Sequence, residues 1–210
     1  MLHTEALTQE AKGLFPKLSG FKESFYLAGG TALALQIGHR VSVDFDLFSP
    51  DPIKKALLAQ VEATYEGMSM EILVNNSREL TLLIQGVKHT FLHYPFPVIL
   101  PFEENDIIPF LSAKEILATK AYTIGRRGAF KDYIDLYAGI TAGTSSLQDV
   151  IDIAREKYTG VFNDRLFLEQ TVYLDDITED AIIMLGRPVP TKQDLVDFFS
   201  GEITKLSLSS

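Results

Sequence analysis

The feature that most constrains this chain is a pair of glycines followed, one short helix later, by two aspartates on alternate positions. Residues 24–28 (SFYLA) form a short apolar run that stops at Gly29 and Gly30. Residues 31–38 (TALALQIG) continue as an apolar helix closed by Gly38. Glycine lets the backbone turn sharply and lets a ligand approach the peptide N–H groups, so a strand, a tight turn and a helix start are expected in that order. Residues 42–48 (SVDFDLF) then alternate, with the two-residue period of a strand.

On such a strand Asp44 and Asp46, at i and i+2, face one side, while Val43, Phe45 and Leu47 face the other. Two carboxylates held side by side repel each other unless a cation lies between them. Mg²⁺ takes oxygen ligands, usually one or two carboxylates plus substrate phosphates. The pair therefore reads either as the Mg²⁺- or Mn²⁺-binding acids of a nucleotidyl transfer or as the solvent face of a half-exposed strand. Gly29, Gly30 and Thr31 read either as a phosphate cradle or as a plain strand–helix turn. In the first case the helix start adds partial positive charge and Thr31 offers its hydroxyl.

Elsewhere, apolar spacing predicts a leading helix over residues 5–18 and another over 52–65, with Pro52 in its first turn. Strands are expected at 70–74, 80–85 and 87–94, the last two as a hairpin broken at Gly86. A Pro-rich stretch, 95–101, leads to a boundary. Beyond it the pattern is helical: 112–126, 129–141, 145–158, 162–174, 178–185 and 191–203. Ser112 is a candidate N-cap, with Glu115 as its capping-box partner. The class is α+β: a mixed sheet flanked by helices over residues 1–110, then a mainly helical part over 111–210 that is expected to complete the site and pack on the first.

The 210 residues, 46% of them hydrophobic, suffice for a sizeable core. Cysteine is absent, which excludes disulfides, thiolate metal sites and a Cys nucleophile. No apolar run approaches the roughly 18 residues a membrane helix needs, and no signal peptide is visible, so a cytoplasmic protein with no membrane partner is expected. The formal net charge of −9 argues against non-specific binding of duplex nucleic acid. From Asp149 onward there are 12 acidic and 6 basic residues, so the negative charge lies mostly in the last third.

The spacing of the Gly pair and the acids, apolar–Gly–Gly, then residues 31–43, then Asp-apolar-Asp-apolar, resembles the nucleotidyltransferase superfamily that includes polymerase-beta-like enzymes. The longer string LAGGTALALQIGHRVSVDFDLF, with KDYIDLY at 131–137 and VKHTFLHYPFPVIL, is similar to the AbiEii/AbiGii family of nucleotidyltransferase-like toxins from bacterial phage-defence systems. The likeness spans roughly residues 24–140 and implies the nucleotidyltransferase fold. It also implies an NTP substrate on Gly29, Gly30 and Thr31, a metal on Asp44 and Asp46, an RNA acceptor such as tRNA, and a cognate antitoxin protein.

Further residues join the candidates. Lys120 falls in the apolar stripe of its helix (113, 116, 117, 120, 121, 124), where a charge needs a partner. It reaches a phosphate or an Asp, or it snorkels out at the stripe's edge. Asp132 and Asp135 flank the next apolar stripe, and Lys131 with Asp135 has i,i+4 spacing, that of a surface ion pair. By resemblance Lys120 and Lys131 contact phosphates, and Asp132 or Asp135 activates the acceptor hydroxyl. Arg40, four residues before Asp44, pairs with the acids or a phosphate, or makes a structural salt bridge. His39 is a candidate by adjacency alone.

One departure from the superfamily stands out. A third carboxylate on a later strand is common there, but GVKHTFLHY has Thr90 and no acid, which leaves Glu71 as the strand acid that could substitute. The missing acid keeps a non-catalytic nucleotide-binding module of the same fold open. The acidic charge keeps open a small-molecule, antibiotic-type nucleotidyltransferase with a cationic acceptor. An RNA site is expected to show Arg126, Arg127 and Lys131 on one basic face. A DxD glycosyltransferase is more distant, since a single clear strand precedes Asp44.

Overall fold

The computed structural model describes residues 2–208, apart from the side chains of Arg127 and Ser207. The chain divides into two compact units, Met1–Pro97 with Pro101–Ser112, and Val98–Leu100 with Ala113–Ser210.

In the first unit, the helix expected over 5–18 is divided into a 3-10 turn (Thr4–Ala6), α1 (Gln9–Leu14) and a 3-10 segment (Phe15–Phe21). The reason is local. Thr8 caps α1 by accepting a hydrogen bond from the Ala11 N–H at 3.3 Å, and Pro16 sits at the start of the 3-10 segment. There follow β1 (Tyr26–Ala28), α2 (Gly29–Ile37), β2 (Phe45–Ser49), α3 (Leu57–Thr64), β3 (Met70–Asn75), β4 (Glu79–Ile84) and β5 (Val87–His93). The helix expected from Pro52 starts only at Leu57, the first residue of that stretch to be buried, because a short helix forms where packing covers its apolar face. Gln85 and Gly86 both have positive φ (51° and 79°), the geometry of a two-residue turn, and close the β4–β5 hairpin.

The strands form one sheet in the order β1-β2-β5-β4-β3. The β2–β5 pair is parallel and the others are antiparallel. Register assigns the two faces. Phe45 and Leu47 stand level with His89 and Phe91, and these with Leu82 and Leu80, so all six share one face, and all are buried. Phe15, Phe21 and Tyr65 cover that face, with ring contacts to Phe45, Phe91 and His89 at 6.2, 4.9 and 5.3 Å. The opposite face carries Ala28, Asp46, Thr90 and Thr81 in one row across four strands.

The second unit consists of α4 (Ala113–Arg127), α5 (Phe130–Thr141), α6 (Leu147–Lys157), α7 (Asp164–Thr171) and α8 (Lys192–Leu208). The central helix is α4, packed on α5, α6 and α7. Ser146 and Asn163 cap α6 and α7 through their side-chain oxygens. Glu115 of α4 accepts hydrogen bonds from the Ile99 and Leu100 N–H groups (3.0 and 2.9 Å), which fastens the segment Val98–Leu100 to this unit. The helix expected over 178–185 is absent; that stretch is irregular, its residues largely exposed, and it has no covered face to hold a short helix together. Among the described residues, no helix is long and apolar enough to cross a membrane.

Candidate active site

The first unit gathers the Gly and Asp residues. β1 ends at Ala28, and Gly29 turns the chain into α2 with φ +67°, a left-handed conformation that suits glycine. Ala28 is the N-cap, so Thr31 lies inside the first turn rather than at the cap. β2 returns antiparallel to β1 and sets Asp46 level with Ala28. A Cβ added at Gly29 would overlap Asp46 Oδ2 and lie 3.1 Å from its Cγ. The missing side chain is therefore what admits the carboxylate against the helix start.

Asp44 lies one residue before β2, not inside the strand as expected from the alternation. Its backbone is held by Thr31, whose buried hydroxyl donates to the Asp44 carbonyl and lies 2.7 Å from Ser42 Oγ. One hydroxyl has one proton. With that proton on the Asp44 carbonyl, Thr31 positions the acid from inside the fold; the phosphate donation expected of it is replaced by this role. Gly29 and Gly30 keep partial exposure at the helix start. Arg40 is buried, and its Nη1 donates to the Val41 carbonyl at 3.1 Å. His39 is buried as well.

β5 contributes a residue that sequence reading passed over. Lys88 Nζ lies 3.1 Å from Asp44 Oδ2. Alternation in VKHTFLH puts Lys88 on the same face as Thr90, but only the β2–β5 register shows that this face is that of the acids. Thr90 stands level with Asp46, and its β4 neighbour is Thr81, whose hydroxyl donates to Glu79 at 2.6 Å. Glu71 cannot replace a third acid. It lies on edge strand β3, with β4 and β5 between it and β2, about 14 Å away at the usual strand spacing. Among the described residues, no three or more His, Asp or Glu side chains gather as a metal set. On the buried side of the same strand, burial pushes the His89 imidazole down to about 4, against the opposing effects of the Val87 carbonyl and the Asp44 charge.

The second unit gathers the other candidates. Lys120 of α4 is buried and lies 2.7 Å from Asp132 Oδ1 and 2.8 Å from Asp135 Oδ2 of α5. Burial alone would lower its pKa. The charges of Asp135 and Asp132, with hydrogen bonds to both, outweigh that and hold the ammonium above the usual lysine range. Of the readings open for Lys120, pairing with Asp is the one found. Asp132 also accepts from the Ala129 N–H at 3.1 Å, tying the start of α5. Asp135 is fully buried and gives its carboxylate to Lys120, so it is not the surface partner of Lys131, which is exposed. Arg126 lies over the Tyr122 ring at 4.3 Å, and the side chain of Arg127 is outside the described residues.

The donor set in the first unit is chemically consistent with a hard cation. It holds two carboxylates, Asp46 on β2 and Asp44 just before it, carboxylate oxygens rather than sulfur or imidazole, beside a helix start. Residues 14–96, which contain this whole arrangement, match the family model "Nucleotidyl transferase AbiEii toxin, Type IV TA system". An uncharacterized protein of Aquifex aeolicus is 31% identical over 187 residues, 88% of each chain. The chain belongs to the AbiEii family of nucleotidyltransferases.

Solved structures agree on the fold of this AbiEii-family chain. A protein of H. pylori solved as a candidate nucleotidyltransferase superposes with a TM-score of 0.63 at 17% identity, covering 97% of this chain and 99% of that one. MenT4, a nucleotidyltransferase toxin of Mycobacterium tuberculosis, superposes with a TM-score of 0.55 at 16% identity, covering 93% of this chain and 86% of that one. The nucleotidyltransferase fold expected from the Gly-Gly and Asp-x-Asp spacing is thus the fold of the AbiEii-family chain.

Proposed function

We propose that this chain transfers a nucleoside monophosphate from an NTP to an acceptor hydroxyl, with Asp44 and Asp46 holding Mg²⁺ or Mn²⁺. The observation that carries the proposal is the seat made for Asp46 by Gly29, with Asp44 locked beside it through Thr31. Bound there, a divalent ion would supply charge to the triphosphate and to the leaving diphosphate. The half-exposed Gly29–Gly30 turn offers N–H groups to phosphate oxygens at the start of α2. In the transfer, the acceptor oxygen forms a bond to the α-phosphorus, the bond from that phosphorus to the β-phosphate oxygen breaks, and pyrophosphate leaves.

The family resemblance assigns the acceptor's proton to Asp132 or Asp135, and of the two Asp132 keeps the residual exposure, 6% against 0%. Lys120, as their counter-ion, sets the charge of that pair. Arg40 and Lys131 remain the candidate phosphate contacts among the basic residues, Lys131 by its exposure.

The family description points to a toxin of a type IV toxin–antitoxin system, so a cognate antitoxin protein and an RNA acceptor, tRNA among the candidates, complete the reading. The test is label transfer from each NTP, with Mg²⁺, to total RNA, comparing wild type with the double variant Asp44→Ala, Asp46→Ala. Transfer by wild type alone is expected. Transfer by neither, under conditions where the wild type binds NTP, would remove RNA as the acceptor and favour a small-molecule acceptor or a non-catalytic module.

A further inference from the structure

The strand beside the acids supplies a cation and a hydroxyl in place of a carboxylate. Phe45 stands level with His89 and Asp46 with Thr90, so one step earlier Asp44 comes beside Lys88, and the two side chains meet at 3.1 Å. The backbone at both ends of that pair is fixed. Asp44 is held by Thr31, and Lys88 is inside the paired strand β5, opposite Leu83 of β4. The pair is 38% and 29% exposed, so the ammonium can leave Asp44 for solvent without unfolding anything.

Resting on the assignment of Asp44 and Asp46 as metal ligands, we infer that Lys88 is a resident cation of this site: it holds Asp44 when no metal is bound, and it lowers the affinity of the acids for a divalent ion. Metal binding then displaces a positive charge already present, and the affinity for the ion is set by Lys88 as well as by the acids. Lys88 is a positioning residue for Asp44 in this scheme.

The test is a titration of the full chain with Mn²⁺ alone, without nucleotide, in which free Mn²⁺ is followed by electron paramagnetic resonance. Wild type should bind Mn²⁺. Lys88→Met, which keeps the length and removes the charge, should bind it about tenfold tighter, as expected for deleting a unit charge a few ångströms from a divalent ion in a solvent-exposed site. Lys88→Arg, which keeps the charge, should match the wild type. An unchanged affinity in Lys88→Met, or equal tightening in Lys88→Met and Lys88→Arg, would each overturn the inference while leaving the metal site itself standing. Mn²⁺ binding that is unaltered by Asp46→Asn, or absent from all these proteins, would instead sink the assignment of the two acids, and the role of Lys88 with it.

Discussion

Replacing Lys120 by Met tests whether the buried triad of the second unit is first of all structural. The ammonium lies 2.7 and 2.8 Å from two carboxylates, and none of the three groups is more than 9% exposed. Methionine fills much of the same volume, so the loss is one of charge. Removing one member of a buried ion pair typically destabilises by about 3–5 kcal/mol, because the partner is left charged and uncompensated. Here two carboxylates lose the same buried cation at once, so the upper part of that range, about 4 kcal/mol, is expected. Against a typical urea dependence of about 1–3 kcal/mol per molar, the unfolding midpoint of this unit should fall by about 2 M. Equilibrium urea unfolding by circular dichroism at pH 7 is the assay. The triple variant Lys120→Met, Asp132→Asn, Asp135→Asn should recover most of the loss, since its buried groups are neutral. A midpoint shift under about 0.5 M for Lys120→Met would refute the reasoning, because a lysine that matters so little to its neighbours cannot be their buried counter-ion.

Further outcomes follow from other contacts. Gly29→Ala should destabilise by about 1–2 kcal/mol through its left-handed backbone and, by displacing the Asp46 carboxylate, should abolish Mn²⁺ binding; a variant that unfolds at the wild-type temperature and binds Mn²⁺ normally would show that the seat is not needed. Glu115→Ala removes the carboxylate 2.6 Å from the fully buried Lys157 and frees the Ile99 and Leu100 N–H groups, so a loss of about 3–5 kcal/mol is expected in thermal or urea unfolding. His89 is depressed in the fold, so its contribution is fully present above the unfolded value near 6.5 and is lost as pH falls through about 4. The loss amounts to about 3 kcal/mol across that window, and His89→Phe, whose ring suits the Phe45 and Tyr65 contacts, should flatten that part of the pH–stability curve.

Much of the first unit was legible because its signals are local. Gly38, with φ +61°, ends α2 where the sequence pattern stops it, and the hairpin turns at Gly86. Alternation placed Asp46 on the face opposite Phe45 and Leu47. Where local signals competed, the reading failed. Residues 5–18 carry helical spacing, but the Thr8 cap and Pro16 break it into three pieces, and none of the residues 178–185 is buried, so no packed face holds a helix there. Thr31 illustrates a subtler limit: a hydroxyl after two glycines is equally suited to a phosphate and to a backbone carbonyl, and only the path of residues 42–44 shows that the carbonyl receives it.

The sequence by itself determined the Gly-Gly turn, the paired acids, the family to which they belong, and the presence of a charged lysine in an apolar stripe. These rest on steric and periodic preferences that act over a few residues. Tertiary structure alone decided the partners: Lys88 for Asp44, Asp132 and Asp135 for Lys120, Lys157 for Glu115, and the distance that takes Glu71 out of contention. Partners of a charge are chosen by strand register and helix packing between segments far apart in the chain, and a buried charge is stable only with whichever opposite charge that packing delivers.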